Sequence, residues 1–255
     1  MYITIIGAGN VGSHLARALY AAGHQIQQIY SRQLEHAKTV ANLVGAEPIN
    51  QLSKISPESR FFLIAVRDDA IESIAAELSE YLPKGAILAH TSGATPSTVL
   101  APHGSDYAVF YPLQTLSRDY PADFQQIPMC IDGSSPKVKQ ELQQLAQTIS
   151  QQVYFVDDEQ RAVLHLTAVF INNFTNALLQ ASHELTKRAN LPQEILTPLL
   201  NATVRKGTEN EPRSVQTGPA IRGDQQTIDR HLQQLTNHPE LSTVYKAITA
   251  YIQTF

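Results

Sequence analysis

The chain has 255 residues, a net charge of −4, 43% hydrophobic and 16% charged residues. These values describe a globular protein of one large or two ordinary domains and give no basic block to attract nucleic acid. The single cysteine, Cys130, excludes an intrachain disulfide framework and fits a reducing cytoplasm. A first strand expected from Tyr2 leaves no room for a signal peptide, and no uninterrupted apolar run reaches the ~18 residues of a membrane span.

Met1 to Ile6 is apolar and β-branched and suits a buried parallel strand. It runs into Gly7-Ala8-Gly9-Asn10-Val11-Gly12, a G-x-G-x-x-G match, and then into a helical pattern with Val11, Leu15, Ala18 and Leu19 on one face. Strand, glycine turn and helix are the context that this dinucleotide fingerprint requires. Gly7 permits the tight turn, Gly9 lets a pyrophosphate approach the backbone, and Gly12 lets helix and strand pack closely. The helix N-terminus offers its free N–H groups to the phosphates. A second strand, Gln25 to Tyr30, ends at Ser31-Arg32. An NAD enzyme usually has an acid there for the ribose 2′-OH. Here Arg32 suits a 2′-phosphate and Ser31 can donate a hydrogen bond to it, so NADP is expected; a solvated arginine is the plain alternative.

A helix is expected from Leu34 to Val44 and a strand from Arg60 to Val66, with Asp68 or Asp69 capping a helix over Ala70 to Tyr81. Ala65, Val66 and Arg67 end that strand at the edge where open α/β sheets bind ligands, which makes them candidate cofactor contacts. For Arg67 an ion pair with Asp68 or Asp69 is an equal reading. Strand Ala86 to Ala89 precedes His90-Thr91-Ser92-Gly93-Ala94, and Val109 to Thr115 repeats the plan of short strand, proline and polar groups. A strand around Ile127 to Ile131, a helix from Pro136 to Ile149 and a strand from Val153 to Val156 complete a doubly wound sheet over residues 1–156.

From Asp157 the period changes. Asp158 to Asn190 has no proline or glycine and reads as one helix, apolar on most faces and therefore expected to be buried in a helical domain or at a subunit interface. At ~100° per residue His165, Asn172, Asn176 and His183 share a stripe, with Asn173 beside it. Buried amides and imidazoles need partners, so this stripe is either a site facing the nicotinamide or a polar seam between helices. A helix over Pro192 to Thr203, a polar loop from Lys206 to Gln216, a break at Thr217 to Asp224, a helix from Gln225 to Thr236 capped by Asp224, and a last helix over Pro239 to Thr254 make residues 157–255 an all-helical domain.

Ile6 to Gly12, His90 to Gly93, Tyr111-Pro112-Leu113-Gln114-Thr115, His165 to Leu178 and Thr217 to Asp224 together resemble a known superfamily. Its members include 6-phosphogluconate dehydrogenase, ketopantoate reductase, prephenate dehydrogenase and pyrroline-5-carboxylate reductase. The closer likeness is to a bacterial branch, provisionally named NADP oxidoreductases, with a C-terminal domain of unknown function. The resemblance implies a Rossmann domain followed by an all-α domain of the 6-phosphogluconate dehydrogenase C-terminal-like type. It also implies NADP in a cleft between them and a homodimer formed through the helical domains. One departure matters. The hydroxyacid dehydrogenase relatives have a lysine three residues before an Asn-Asn pair on the long helix; the pair is matched by Asn172-Asn173, but the lysine position holds Val169.

The expected activity is an NADP-dependent reductase, transferring hydride between nicotinamide and a carbonyl or imine of a small metabolite, in the cytoplasm, with no metal, nucleic acid or membrane involved. His165 or His90 is the candidate acid/base, since histidine titrates near neutral pH. Asn172, Asn173 and Asn176 are candidate substrate clamps. Ser92 and Gln114 are placed on the pocket wall, and Arg222 is a candidate for a substrate carboxylate, reaching across a dimer. Two alternatives stand beside this: an NADP-occupied sensor or scaffold without turnover, motivated by Val169, and a decarboxylating enzyme like prephenate dehydrogenase, suggested by His90 and Tyr111-Pro112.

Overall fold

The computed structural model describes residues 1–117 and 120–255. They divide into two compact units, Met1–Asn172 and Asn173–Phe255. The first unit is built on an eight-stranded sheet in the order β3-β2-β1-β4-β5-β6-β7-β8. Its strands are β1 (Tyr2–Ile6), β2 (Gln25–Tyr30), β3 (Glu47–Ile49), β4 (Phe61–Ile64), β5 (Ile87–His90), β6 (Asp106–Pro112), β7 (Met129–Gly133) and β8 (Val153–Phe155). The first six strands follow the order 3-2-1-4-5-6, all parallel, in which dinucleotides bind across the carboxyl ends of the strands.

Helices cover both faces. On one, Ile3 and Ile5 of β1 pack with Leu15 and Leu19 of α1 (Asn10–Ala21), Val40 of α2 (Leu34–Val44) and Leu142 of α4 (Pro136–Gln147). On the other, Ile6, Phe62, Ile64 and Leu88 meet Ile71 and Leu78 of α3 (Ile71–Ser79). This is why β1 and β4 read as nearly continuous apolar runs: a parallel strand with helices on both sides has no polar face.

Three local expectations are corrected in this unit. Strand β7 pairs antiparallel with β6, so the sheet is not parallel throughout. Among the described residues the connection between them holds a 3₁₀ turn, Phe124–Gln126, and no crossover helix of the kind that a parallel return needs. Asp68 and Asp69 do not cap α3; they lie in a 3₁₀ turn, and Asp69 pairs instead with Arg67. Strand β6 starts at Asp106, earlier than its first branched residue, because it pairs with β5 from Ile87 onward.

The long helical run is α5 (Asp158–Ala168), a π-helical segment Val169–Phe174, and α6 (Thr175–Arg188). Asp157 starts it with a capping box closed by Gln160. The expected uninterrupted α-helix is therefore corrected, and with it the stripe, because the π turn shifts the phase between His165 and Asn176. In the second unit α7 (Thr197–Glu209) runs through Lys206 and Gly207, where a polar loop was expected. Thr203 and Thr208 hydroxyls bond back to the carbonyls of Leu199 and Val204, and a single glycine costs a helix only about 1 kcal/mol. Helices α8 (Gln225–Gln234) and α9 (Pro239–Ile252) close the chain, with Asp224 capping α8 as expected.

Within the single chain the long helix is largely uncovered, which leaves a subunit interface as the open half of the expectation. Val163, Leu166, Phe170, Ile171 and Phe174 are exposed, Ile171 at 71%. In the second unit only Ala220, Ile228 and Leu235 are buried among the described residues. By length and composition alone Asp158–Arg188 would also suffice to cross a bilayer.

Candidate active site

The glycine turn has the geometry that the fingerprint needs. Gly7 has φ +122°, and a Cβ there would stand 2.2 Å from the Ala65 carbonyl oxygen. A Cβ on Gly12 would stand 2.0 Å from the Gly7 oxygen. Both positions are closed to any side chain, so β1, β4 and α1 meet at backbone distance. Gly9 is the contrast: beyond its own chain neighbours, no atom of the described residues lies within 4 Å of its would-be Cβ. Gly9 is also the N-cap of α1, and no side chain caps the helix there. Ala8 is buried, Asn10 is exposed, and Val11 packs partly against the core. The free N–H groups of the first turn and the approach left open at Gly9 fit a pyrophosphate.

At the end of β2, the Ser31 N–H donates to the Ile49 carbonyl at 3.1 Å. Arg32 is exposed and makes no ion pair among the described residues. At the end of β4, Ala65 is buried against Gly7 and Val66 is half-buried. Arg67 is committed to Asp69, its Nε donating to Oδ1 at 3.1 Å.

The ends of β5 and β6 hold the titratable groups. His90 is fully buried. Its Nδ1 accepts the Ser92 N–H at 3.1 Å and its Nε2 faces the Pro96 carbonyl at 3.3 Å, which fixes a neutral ring protonated on Nε2. Burial, with the Arg161 charge nearby, pushes its pKa down to about 4. The Ser92 hydroxyl accepts the N–H groups of Ala94 and Thr95 and so shapes the same turn. His165, by contrast, is half-buried on α5, and its Nδ1 lies 3.5 Å from the hydroxyl of Tyr111 on β6. The two rings meet edge-on, centroids 6.4 Å apart.

Beneath them Arg161 and Asp158 clamp the loop after β5. Arg161, 1% exposed, donates from Nη2 to the Thr95 carbonyl at 2.6 Å and to Asp158 Oδ1 at 2.7 Å. Asp158 accepts the Ser97 N–H at 2.9 Å and the Ser97 hydroxyl at 3.0 Å. Burial would raise the Asp158 carboxyl, but the Ser97 and Arg161 hydrogen bonds outweigh it and hold the pKa below its ordinary value. Reading the sequence as strand ends missed both clamp residues; their i, i+3 spacing after the capping residue Asp157 is the one local signal of the pair.

The remaining candidates are on other elements. Gln114 is exposed, and its side-chain oxygen accepts the Thr115 N–H. Asn172 and Asn173 are in the π segment and Asn176 is in the first turn of α6, all exposed. Arg222, in the second unit, is 62% exposed and 3.9 Å from Asp224.

Comparison with known proteins gives two domain matches: residues 1–114 match the Rossmann-like domain, and residues 127–252 match a domain of unknown function, DUF2520. A solved structure from Bacteroides fragilis, provisionally named an NADP oxidoreductase, is 39% identical over 100% of this chain and 98% of its own, with a TM-score of 0.93. The chain belongs to this Rossmann–DUF2520 family. More distant structures share the fold. An imine reductase of Myxococcus stipitatus in complex with NADP+ is 15% identical over 100% of this chain and 93% of its own (TM-score 0.75). A 1-pyrroline-5-carboxylate reductase of Streptococcus pyogenes is 13% identical over 100% and 99% (TM-score 0.65). No match is found among curated proteins. In this family chain the helix expected to supply a lysine offers Val169 at that position, and the titratable groups gathered at the strand ends are His90, Tyr111 and His165.

Proposed function

We propose that the protein is an NADP-dependent reductase acting on a carbonyl or imine of a small metabolite. The observation that carries this reading is the open, uncapped α1 N-terminus at Gly9, with Gly7 and Gly12 closed to side chains. Gly7 to Gly12 would hold the pyrophosphate, Arg32 and Ser31 the 2′-phosphate, and Ala65 and Val66 the wall behind the ribose. When bound, the dinucleotide supplies the hydride, and the protein's task is to hold the substrate and deliver a proton. The names of the Bacteroides and Myxococcus relatives support the choice of NADP, and that of the Streptococcus relative supports a small imine-type substrate.

For the proton we favour His165 over His90. His90 is sealed from solvent with both nitrogens engaged, and we assign it to holding the Ser92–Gly93 turn. Asn172, Asn173 and Asn176 remain our candidates for substrate clamps, Ser92 and Gln114 for the pocket wall, and Arg222 for a substrate carboxylate.

A homodimer belongs to the same reading. The second unit buries almost nothing alone, and the long helix exposes Phe170, Ile171 and Phe174. An apolar helix face of that extent is covered by another copy in a soluble oligomer. We prefer this to a bilayer because Asp158 and Arg161 tie the same helix to the sheet unit through Ser97 and Thr95. A chain with one cysteine, Cys130, and hence no intrachain disulfide suits the cytoplasm that we propose for it.

Calorimetric titration with NADPH and NADH tests the proposal. NADPH is expected to bind more tightly, and Arg32→Ala to weaken it by about tenfold, or 1.4 kcal/mol. No binding of either nucleotide would end the reductase reading. Binding without turnover on a panel of 2-oxo acids, imines and semialdehydes would favour a sensor or scaffold, the reading to which Val169 points.

A further inference from the structure

Gly93 needs a separate explanation. Its φ is not positive, so backbone conformation does not demand glycine. Space does. A Cβ there would stand 2.7 Å from His165 Nδ1, 2.8 Å from Tyr111 Cζ and 2.9 Å from the Tyr111 hydroxyl oxygen. A turn at the end of β5 thus gives up its side chain where a phenol from β6 and an imidazole from α5 converge. Both rings are half-buried, so their polar atoms are neither sealed away like His90 nor freely solvated.

Resting on the reductase reading, we propose that Tyr111 is the group that hands the proton to the substrate and that His165 recharges it through Nδ1. The site lies at the β5–β6 ends, in the half of the sheet beyond the pyrophosphate turn where the second mononucleotide of a dinucleotide is placed. With His165 protonated on both nitrogens, Nδ1–H donates to the Tyr111 oxygen and turns the phenolic O–H outward. The Tyr111 O–H bond breaks as an N–H or O–H bond forms on the substrate; a bound dinucleotide would supply the hydride that balances the step. The Nδ1 proton moves to Tyr111, leaving neutral His165 with its remaining proton on Nε2, and solvent restores the second. The spacing of 3.5 Å is long for such a bond, as is common in the absence of substrate. Burial, together with Cys130 across the β6–β7 pair, raises the Tyr111 pKa and keeps the phenol protonated until it is used. The buried Arg161 charge acts in the opposite direction and favours the transient phenolate.

The test combines spectroscopy with kinetics on the full chain. In ¹⁵N-histidine NMR, with His165 assigned by loss of its signals in His165→Gln, Tyr111→Phe is expected to shift the His165 ring-nitrogen signals, reporting loss of the Nδ1 hydrogen bond. Gly93→Ala is expected to disturb the same signals by forcing the rings apart. With NADPH and each of 1-pyrroline and 2-oxobutyrate, Tyr111→Phe is expected to lower kcat by roughly 100-fold or more, within the usual range for general acid catalysis, while NADPH affinity stays within about threefold. His165→Gln is expected to lower kcat more at low pH, where the ring carries the proton it relays, than at high pH. Unmoved His165 ring-nitrogen signals in Tyr111→Phe overturn the pair even if the enzyme turns over. A kcat unchanged in Tyr111→Phe overturns the donor role. Wild-type protein that binds NADPH but reduces neither probe counts against the donor role while leaving the cofactor reading intact, and failure to bind NADPH is the separate failure of the reductase reading.

Discussion

The two units differ in how they are held together. The sheet unit has a largely apolar interior, with Ile3, Ile5, Phe62, Leu63 and Phe110 wholly buried and helices on both faces. In the helical unit, α6, α7 and α9 have no buried residue at all. One unit is stabilised by burial within itself; the other has the same kind of apolar side chains but leaves most of them exposed among the described residues. Since hydrophobic burial is the main force opposing chain entropy, the dimer we propose would supply the burial that the helical unit lacks.

This contrast can be broken most sharply on the exposed helix face. Ile171→Asp would place a charge where an apolar partner surface is expected, at a residue 71% exposed in the single chain. We expect dissociation to monomer by analytical ultracentrifugation, with loss of much of the far-ultraviolet helix signal and retention of the sheet unit. A fully folded monomer would show that the helical unit stands alone and would remove the contrast.

The second prediction concerns acid and touches only the sheet unit. His90 titrates at about 4 when folded and near 6.5 when unfolded, so the unfolded chain binds the extra proton first as pH falls. Its contribution is intact above pH 6.5, declines as pH falls toward 4, and amounts to roughly 3 kcal/mol in all. Asp158, with its pKa held down, adds a loss of the same sign at lower pH. Denaturant unfolding from pH 7 to 4 should show this decline, and His90→Asn should flatten its upper part. The smallest effect is local. Ser135 caps α4 by accepting the Val138 N–H at 3.3 Å, and Ser135→Ala should cost about 1 kcal/mol without changing the oligomeric state.

Much of the sheet unit was legible because its rules are local. Gly7, Gly9 and Gly12 announce a turn whose sterics admit little else, and the apolar runs of β1 and β4 follow from burial on both faces. Strand β2 and helix α2 fall at the boundaries expected from their patterns. What was not legible depends on partners distant in sequence. Nothing around Tyr111 indicates that His165 will meet it, and nothing around Gly93 shows that its hydrogen atom stands in for a side chain the other two exclude. The reversal of β7 was hidden for the same reason, since antiparallel pairing is decided by the missing crossover helix. Helix α7 runs on into the polar stretch expected from Lys206, because threonine hydroxyls bond back along the helix and one glycine does not end it.

The π turn at Val169–Phe174 has one more consequence, for how members of this family are aligned. A π turn is equivalent to one residue inserted in an α-helix, so positions on its two sides are out of phase by about 100°. Counting three residues back from Asn172-Asn173 to Val169 stays within the turn, where sequence spacing no longer measures angle. A relative lacking the insertion would keep every helical residue type and still aim Asn176 elsewhere. Deletion of one residue there would preserve a helix while rotating everything after it, so gaps in this segment record changes in which side chains face one another, not changes in length.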